Sequence, residues 1–195
     1  MLRIGAETEM KIILIRHGQT PSNRERRFLG LTDEPLTEES REELASRSYP
    51  PAEHLFSSPL LRCRQTAEII YPGHRCRVVE DLREMDFGLF EGRTNEEMCE
   101  EPFYQEWLAA GRADFPGGET MEHFRSRCLR AFRETVSQLS ANSSAAFVVH
   151  GGVIMALMSN LGEGYFYDFL CGNGAGYVCG WREGRLTLEE KLWQD

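Results

Sequence analysis

The chain of 195 residues is 41% hydrophobic and 27% charged, an ordinary globular composition for one domain with a sizeable core. Its net charge of -9 leaves no general basic field for nucleic acid, so any bound anion has to be held by local positive charge. No apolar run approaches membrane-spanning length, and the six cysteines form no Cys-x-x-Cys pair or zinc-type cluster, as expected of reduced thiols in a cytoplasmic protein.

Met1 to Glu9, with Glu7 and Glu9 and no apolar h-region, reads as a loose tail rather than a secretory signal. Ile12 to Ile15 is an unbroken aliphatic run, the pattern of a strand buried on both faces. Arg16, His17 and Gly18 follow where that strand ends. Ligands of open α/β sheets bind at the carboxyl ends of strands, which places a cation and an imidazole for chemistry. Taken alone, Arg-His-Gly serves equally well as a polar surface turn. Arg24 to Arg27 is charged and loop-like. Thr37 caps a helix to about Ser48, stopped by Pro50-Pro51. His54 to Ser57 is a short strand.

Ser58 and Pro59 read as the N-cap and first residue of a helix to about Ile70, ended by Tyr71-Pro72-Gly73. Arg62, in its first turns, reaches the same sheet edge and can fork with Arg16 onto one phosphate. Arg64 reads as a solvated surface arginine. Cys76 to Val79 is a third strand. In the loop from Asp81 to Gly92, Glu84, Asp86 and Glu91 compete for one role. A carboxyl group beside a bound phosphate resists ionising and then has a proton for a leaving alkoxide. On charge alone the three compete, and each is equally a solvated loop acid. Asn95 to Ala110 reads as a helix stopped by Gly111, and Pro116-Gly117-Gly118 as a break.

Met121, Phe124, Cys128, Phe132, Val136 and Leu139 recur at helical spacing, so Glu119 to Leu139 holds a long amphipathic helix whose stripe is core. Ala145 to Val149 is a second buried-type strand. It ends in His150-Gly151-Gly152, and a helix from Val153 to Leu161 follows. This repeats the design at His17, and neighbouring strand ends would bring the two imidazoles together. Gly151 and Gly152 free backbone N–H groups at a helix start, a ready anion site. Gly162 to Gly176 is irregular. Tyr177 to Trp181 and Arg185 to Glu189, joined by Glu183-Gly184, read as a closing hairpin. Alternating strands and helices predict an α/β fold, a three-layer sandwich with a mainly parallel central sheet flanked by helices. It forms one domain over 1–195, with 81–118 as a cap over the site.

Together, Arg16-His17-Gly18, Ser58-Pro59-Leu60-Leu61-Arg62, the Glu84 loop and Val149-His150-Gly151-Gly152 resemble the histidine phosphatase superfamily, also called phosphoglycerate mutase-like. The similarity runs from Lys11 to about Gly180. It implies that His17 is the nucleophile that becomes phosphohistidine, that Arg16, Arg62, Asn23 and His150 bind the phosphoryl group, and that Thr20 and the Gly151 backbone assist. It also implies that Glu84 is the acid-base residue and that no metal or other cofactor is needed. Leu82-Arg83-Glu84-Met85-Asp86-Phe87-Gly88, with Phe90-Glu91-Gly92, resembles the small α-ribazole phosphatase-like members. Phe115-Pro116-Gly117-Gly118-Glu119-Thr120 does so as well, although Phe90 and Thr120 stand where tryptophan and serine are usual.

The expected partner is a small phosphorylated metabolite. Phe103, Tyr104, Trp107 and Phe115 supply more aromatic surface than a phosphate needs, and any that face the site suit a flat or apolar leaving group. The others simply pack a helix. A nucleotide-like monoester such as α-ribazole phosphate is favoured, with small phosphomonoesters generally as the fallback. A phosphoglycerate mutase-type transfer and a non-catalytic phospholigand-binding protein are the alternatives, and the oligomeric state is open. A dinucleotide-binding fold is rejected, because no Gly-x-Gly-x-x-Gly follows the first strand.

Overall fold

The first aliphatic run forms an inner strand of a six-stranded sheet, with Ile12 to Ile15 wholly buried. The computed structural model describes residues 9–111 and 114–194. The tail expected at Met1 to Glu9 lies outside them except for Glu9. In chain order the elements are β1 (Met10–Arg16), α1 (Pro21–Arg24), α2 (Glu38–Ser46), β2 (His54–Ser57), α3 (Leu61–Ile70) and β3 (Cys76–Val78). There follow α4 (Asn95–Met98), α5 (Pro102–Ala109), α6 (Met121–Val136), β4 (Ser144–Val149), α7 (Gly151–Leu161), β5 (Gly176–Arg182) and β6 (Arg185–Leu192). Short 3₁₀ turns occupy Glu80–Leu82, Gly88–Phe90 and Phe166–Phe169.

The sheet order is β3-β2-β4-β1-β5-β6. The first four strands in that order are mutually parallel, β5 adds antiparallel to β1, and β6 pairs antiparallel with β5 as a hairpin. Side chains alternate across the two inner strands, as strand geometry requires. Ile12, Leu14, Phe147 and Val149 pack with α6 and α7, whereas Ile13, Ile15, Ala146 and Val148 pack with α3. This is the α/β three-layer sandwich. A third apolar cluster of Phe90, Met98, Tyr104 and Trp107 belongs to the 81–118 segment.

Several boundaries differ from the sequence expectation. A short helix, α1, precedes the charged Arg24 to Arg27 stretch and takes in only Arg24 of it, because Thr20 and Asn23 form a reciprocal capping box. Helix α2 ends at Ser46 rather than Ser48. Helix α3 starts at Leu61 rather than at Pro59, and no side chain of its own caps it. Instead the Leu61 N–H donates to Asp33 Oδ1 at 2.6 Å. The expected helix from Asn95 to Ala110 is two helices, since Pro102 lacks an N–H and disfavours helical backbone at Glu101. Proline then opens α5 at its first position.

Candidate active site

Parallel pairing of β1 with β4 sets Arg16 opposite Val149, so the residues that follow, His17 and His150, leave the sheet side by side. The His17 N–H donates to Val149 O at 2.9 Å, and the two imidazole rings lie 5.2 Å apart at an interplanar angle of 65°. Both are buried. The His17 ring places Nδ1 2.7 Å from Gly18 O. A carbonyl only accepts, so Nδ1 carries the proton and the Nε2 lone pair of the neutral ring is left open. Burial first, then the charges of Arg62 and Arg16, push His17 well below the ordinary histidine range and keep it neutral. Burial acts in the same direction on His150, followed by Arg62.

The Ser58 hydroxyl lies 2.7 Å from His150 Nε2 and holds that ring, while it accepts the Leu60 N–H only at 3.4 Å. Cys63 Sγ sits 3.5 Å from the same nitrogen.

Two arginines flank the histidines. Arg62 is wholly buried and donates to Thr32 O and Gly30 O, both at 2.8 Å. Arg16 donates to Cys171 O at 2.6 Å. In each guanidinium the buried Nε–H has no partner. Neither arginine pairs with a carboxylate among the described residues. A buried cation without an ion-pair partner is costly, and here the buried Arg62 and the half-buried Arg16 stand beside one imidazole. An anion at His17 would satisfy both. The outer nitrogens of Arg62 are thus committed to backbone carbonyls, so the expected joint fork onto phosphate reduces to the free Nε edges.

Of the three competing acids, Glu84 alone lines the cavity at His17. Its Oε1 accepts the Met85 N–H at 3.0 Å, and its Oε2 accepts the Gly152 N–H at 3.1 Å. Burial outweighs those two bonds and raises its pKa above the ordinary carboxylate range. Asp86 accepts the Gly88 N–H at 2.9 Å, and Glu91 accepts those of Gly30 and Thr32 at 2.9 Å each. Both therefore brace the loop backbone. Arg64 is exposed, as expected.

The cavity holds about 360 Å³. Arg16, His17, Asn23, Glu84 and Gly151 are on its wall. His150 and Arg62 lie fully buried next to them, and Thr20 is turned away into its capping role. Trp107 and Phe115 of the 81–118 segment reach the cavity, whereas Phe103 and Tyr104 pack against Phe90 at 5.5 and 5.7 Å. Phe28, Phe166 and Tyr167 add further rings to the wall.

Two contributors carried no signal in the sequence. Asn173, in the irregular stretch before β5, donates through Nδ2 to His17 O, Gly18 O and Asn23 Oδ1 at 3.1, 3.2 and 3.1 Å. Arg127, on α6, is buried against the Glu84 loop. An asparagine among glycines and one of four arginines on an amphipathic helix are indistinguishable from surface residues until distant partners meet them.

The family model of the histidine phosphatase superfamily (branch 1) matches residues 12–194. The "Probable phosphoglycerate mutase GpmB" of Escherichia coli O1:K1 / APEC is 34% identical over 163 residues, covering 78% of this chain and 74% of that one. The phosphoglycerate mutase structure from Thermus thermophilus is 36% identical with a TM-score of 0.74, covering 95% of this chain and 100% of that chain. The fold is shared with a "putative alpha-ribazole-5'-P phosphatase" from Escherichia coli str. K-12 substr. MG1655, at a TM-score of 0.82 and 24% identity over 94% of this chain and 96% of that one.

Proposed function

The chain belongs to the histidine phosphatase superfamily, and from that premise we propose that it hydrolyses a small phosphomonoester through a phosphohistidine at His17. The observation that carries this reading is the neutral, Nδ1-anchored His17 beside two arginines that make no ion pair among the described residues and whose Nε–H groups have no partner there. Phosphoryl transfer needs positioning and charge neutralisation more than covalent ingenuity. Arg16, Arg62, Asn23 and His150 surround the place for the phosphoryl oxygens, with the Gly151 backbone at the start of α7.

In the first step His17 Nε2 attacks phosphorus in line, the bond to the ester oxygen breaks, and protonated Glu84 gives its proton to the leaving alkoxide. In the second step the Glu84 carboxylate takes a proton from water, whose oxygen displaces His17 and releases phosphate. Splitting the displacement in two lets one carboxyl group serve both halves. Chemistry of this kind asks for no metal.

The ring-lined cavity supports a flat or apolar alcohol, and a nucleotide-like monoester such as α-ribazole phosphate fits it. The cations on the cavity wall are Arg16 and Arg27, and Arg27 is already tied to Glu25 and Glu97 at 2.6 and 2.7 Å. A second negative group on the substrate therefore finds little unspent charge. The six thiols, none of them in a disulfide, support a reducing, cytoplasmic setting.

The names of the similar proteins favour a second reading, in which the phosphoryl group returns to substrate as in a phosphoglycerate mutase. One experiment separates the readings. Phosphomonoesters are screened with chelator present, then labelled substrate is mixed briefly and quenched in acid or alkali. Label that survives alkali, is lost in acid and is absent from His17→Ala supports phosphohistidine. Dependence on a bisphosphorylated activator, with transfer back to 3-phosphoglycerate, would establish the mutase. Binding without turnover would leave the protein a phospholigand binder.

A further inference from the structure

Glu119 and Arg127 have no part in the mechanism above, yet they form the most completely satisfied polar group next to it. Arg127 is 2% exposed. Its Nε donates to Glu119 Oε1 at 2.7 Å, and one Nη2 proton goes to Glu119 Oε2 at 2.7 Å, a two-toothed fork. The other Nη2 proton reaches Glu84 O at 2.9 Å. Nη1 donates to Asp81 O at 2.7 Å and to Arg83 O at 2.8 Å. All five guanidinium N–H groups thus have oxygen acceptors. From the opposite side, the Glu119 backbone N–H donates to Asp86 O at 2.9 Å. The pair grips the main chain at residues 81, 83, 84 and 86, and so brackets Glu84.

On the premise that Glu84 is the acid, we propose that the Glu119–Arg127 fork is the positioning device of the proton donor, holding the 81–86 main chain so that the Glu84 carboxyl meets the leaving oxygen. The planar guanidinium fixes direction as well as distance, which a lysine does not. Charge balance suits the role. An unpaired arginine here would favour an ionised Glu84, whereas Glu119 neutralises Arg127 and leaves the grip without net charge. Arg127 also lies over the Phe124 ring at 4.9 Å, and Phe124 is part of the cavity wall. A fork that served stability alone would have no reason to affect one leaving group more than another.

The test compares an alkyl phosphate with p-nitrophenyl phosphate, whose leaving group needs little protonation. Arg127→Lys keeps the charge and loses the fork. It is expected to lower kcat on the alkyl ester by about 100-fold, with KM and the aryl rate little changed. Combined with Glu84→Gln, the same substitution should add little further loss, since it acts through that carboxyl. If Arg127→Lys does not fold, Glu119→Gln carries the same comparison with a smaller loss. Equal losses on both esters, or an undiminished effect in the Glu84→Gln background, would overturn the proposal. If Glu84→Gln itself slows both esters alike, the assignment of the acid fails instead, and the positioning proposal falls with it. If Glu84→Gln discriminates and Arg127→Lys does not, only the fork's role is overturned.

Discussion

Glu84 and Gly152 are in direct contact across two elements far apart in the chain. Glu84 Oε2 accepts the Gly152 N–H at 3.1 Å, and a Cβ placed on residue 152 would stand 2.4 Å from Glu84 Oε1. Glycine matters here through close approach to the Glu84 carboxyl, not through backbone conformation, since residue 152 is in the first turn of α7. Gly152→Ala is expected to move the Glu84 carboxyl aside and cost about 100-fold in kcat on alkyl esters. The melting temperature should hold, because alanine favours the helix by about 0.5–1 kcal/mol. Full activity in the variant would show that Glu84 shifts without penalty.

Removing the proton from position 84 tests the acid directly. Glu84→Gln preserves shape and is expected to slow esters with poor leaving groups by about 10²–10⁴-fold, while sparing an aryl phosphate. Paired measurements of kcat/KM on the two ester types decide it, and equal losses would assign Glu84 a structural role.

The two shifted groups set the pH dependence. His17 is depressed, so it stays neutral and nucleophilic well into the acid range, and activity is lost only as pH falls through its lowered value. Glu84 is elevated, so it keeps its proton above the ordinary carboxylate range of about 4.3, and activity is lost as pH rises through its raised value. In kcat/KM against pH for an alkyl ester, the alkaline limb should vanish in Glu84→Gln while the acid limb persists. An alkaline limb that survives the substitution would belong to another group.

Tyr167 separates substrate recognition from packing. It lines the cavity yet is 70% exposed. A ring in that position is worth about 0.5–1.5 kcal/mol against a flat leaving group. Tyr167→Ala should therefore raise KM for aromatic or nucleotide-like monoesters several-fold. It should leave KM for a small alkyl phosphate and the melting temperature unchanged. A uniform rise in KM would remove the argument for a flat alcohol.

Much of this protein was legible in its sequence because the decisive signals are local. Aliphatic runs bounded by Arg16-His17-Gly18 and by His150-Gly151-Gly152 specify two buried strands and what stands at their ends. A long amphipathic stripe specifies α6. Thr37 caps α2 as expected, and Glu183-Gly184 joins β5 to β6. Even the break at Pro102 was written in the chain, but helical spacing on either side of it obscured the interruption.

Where each polar side chain is spent was decided only by tertiary structure. Glu84, Asp86 and Glu91 carry the same charge on the same loop. They differ because Gly152, Gly88 and the Gly30–Thr32 turn meet them from different directions. Ser58 and Thr20 look like interchangeable hydroxyls at helix starts, yet His150 claims the first while Asn23 and its helix claim the second. Arg127 acquires its purpose from carbonyls more than forty residues away in sequence. Backbone periodicity is set by neighbours along the chain, whereas a hydrogen bond is allotted by whichever partner the packed layers bring within about 3 Å.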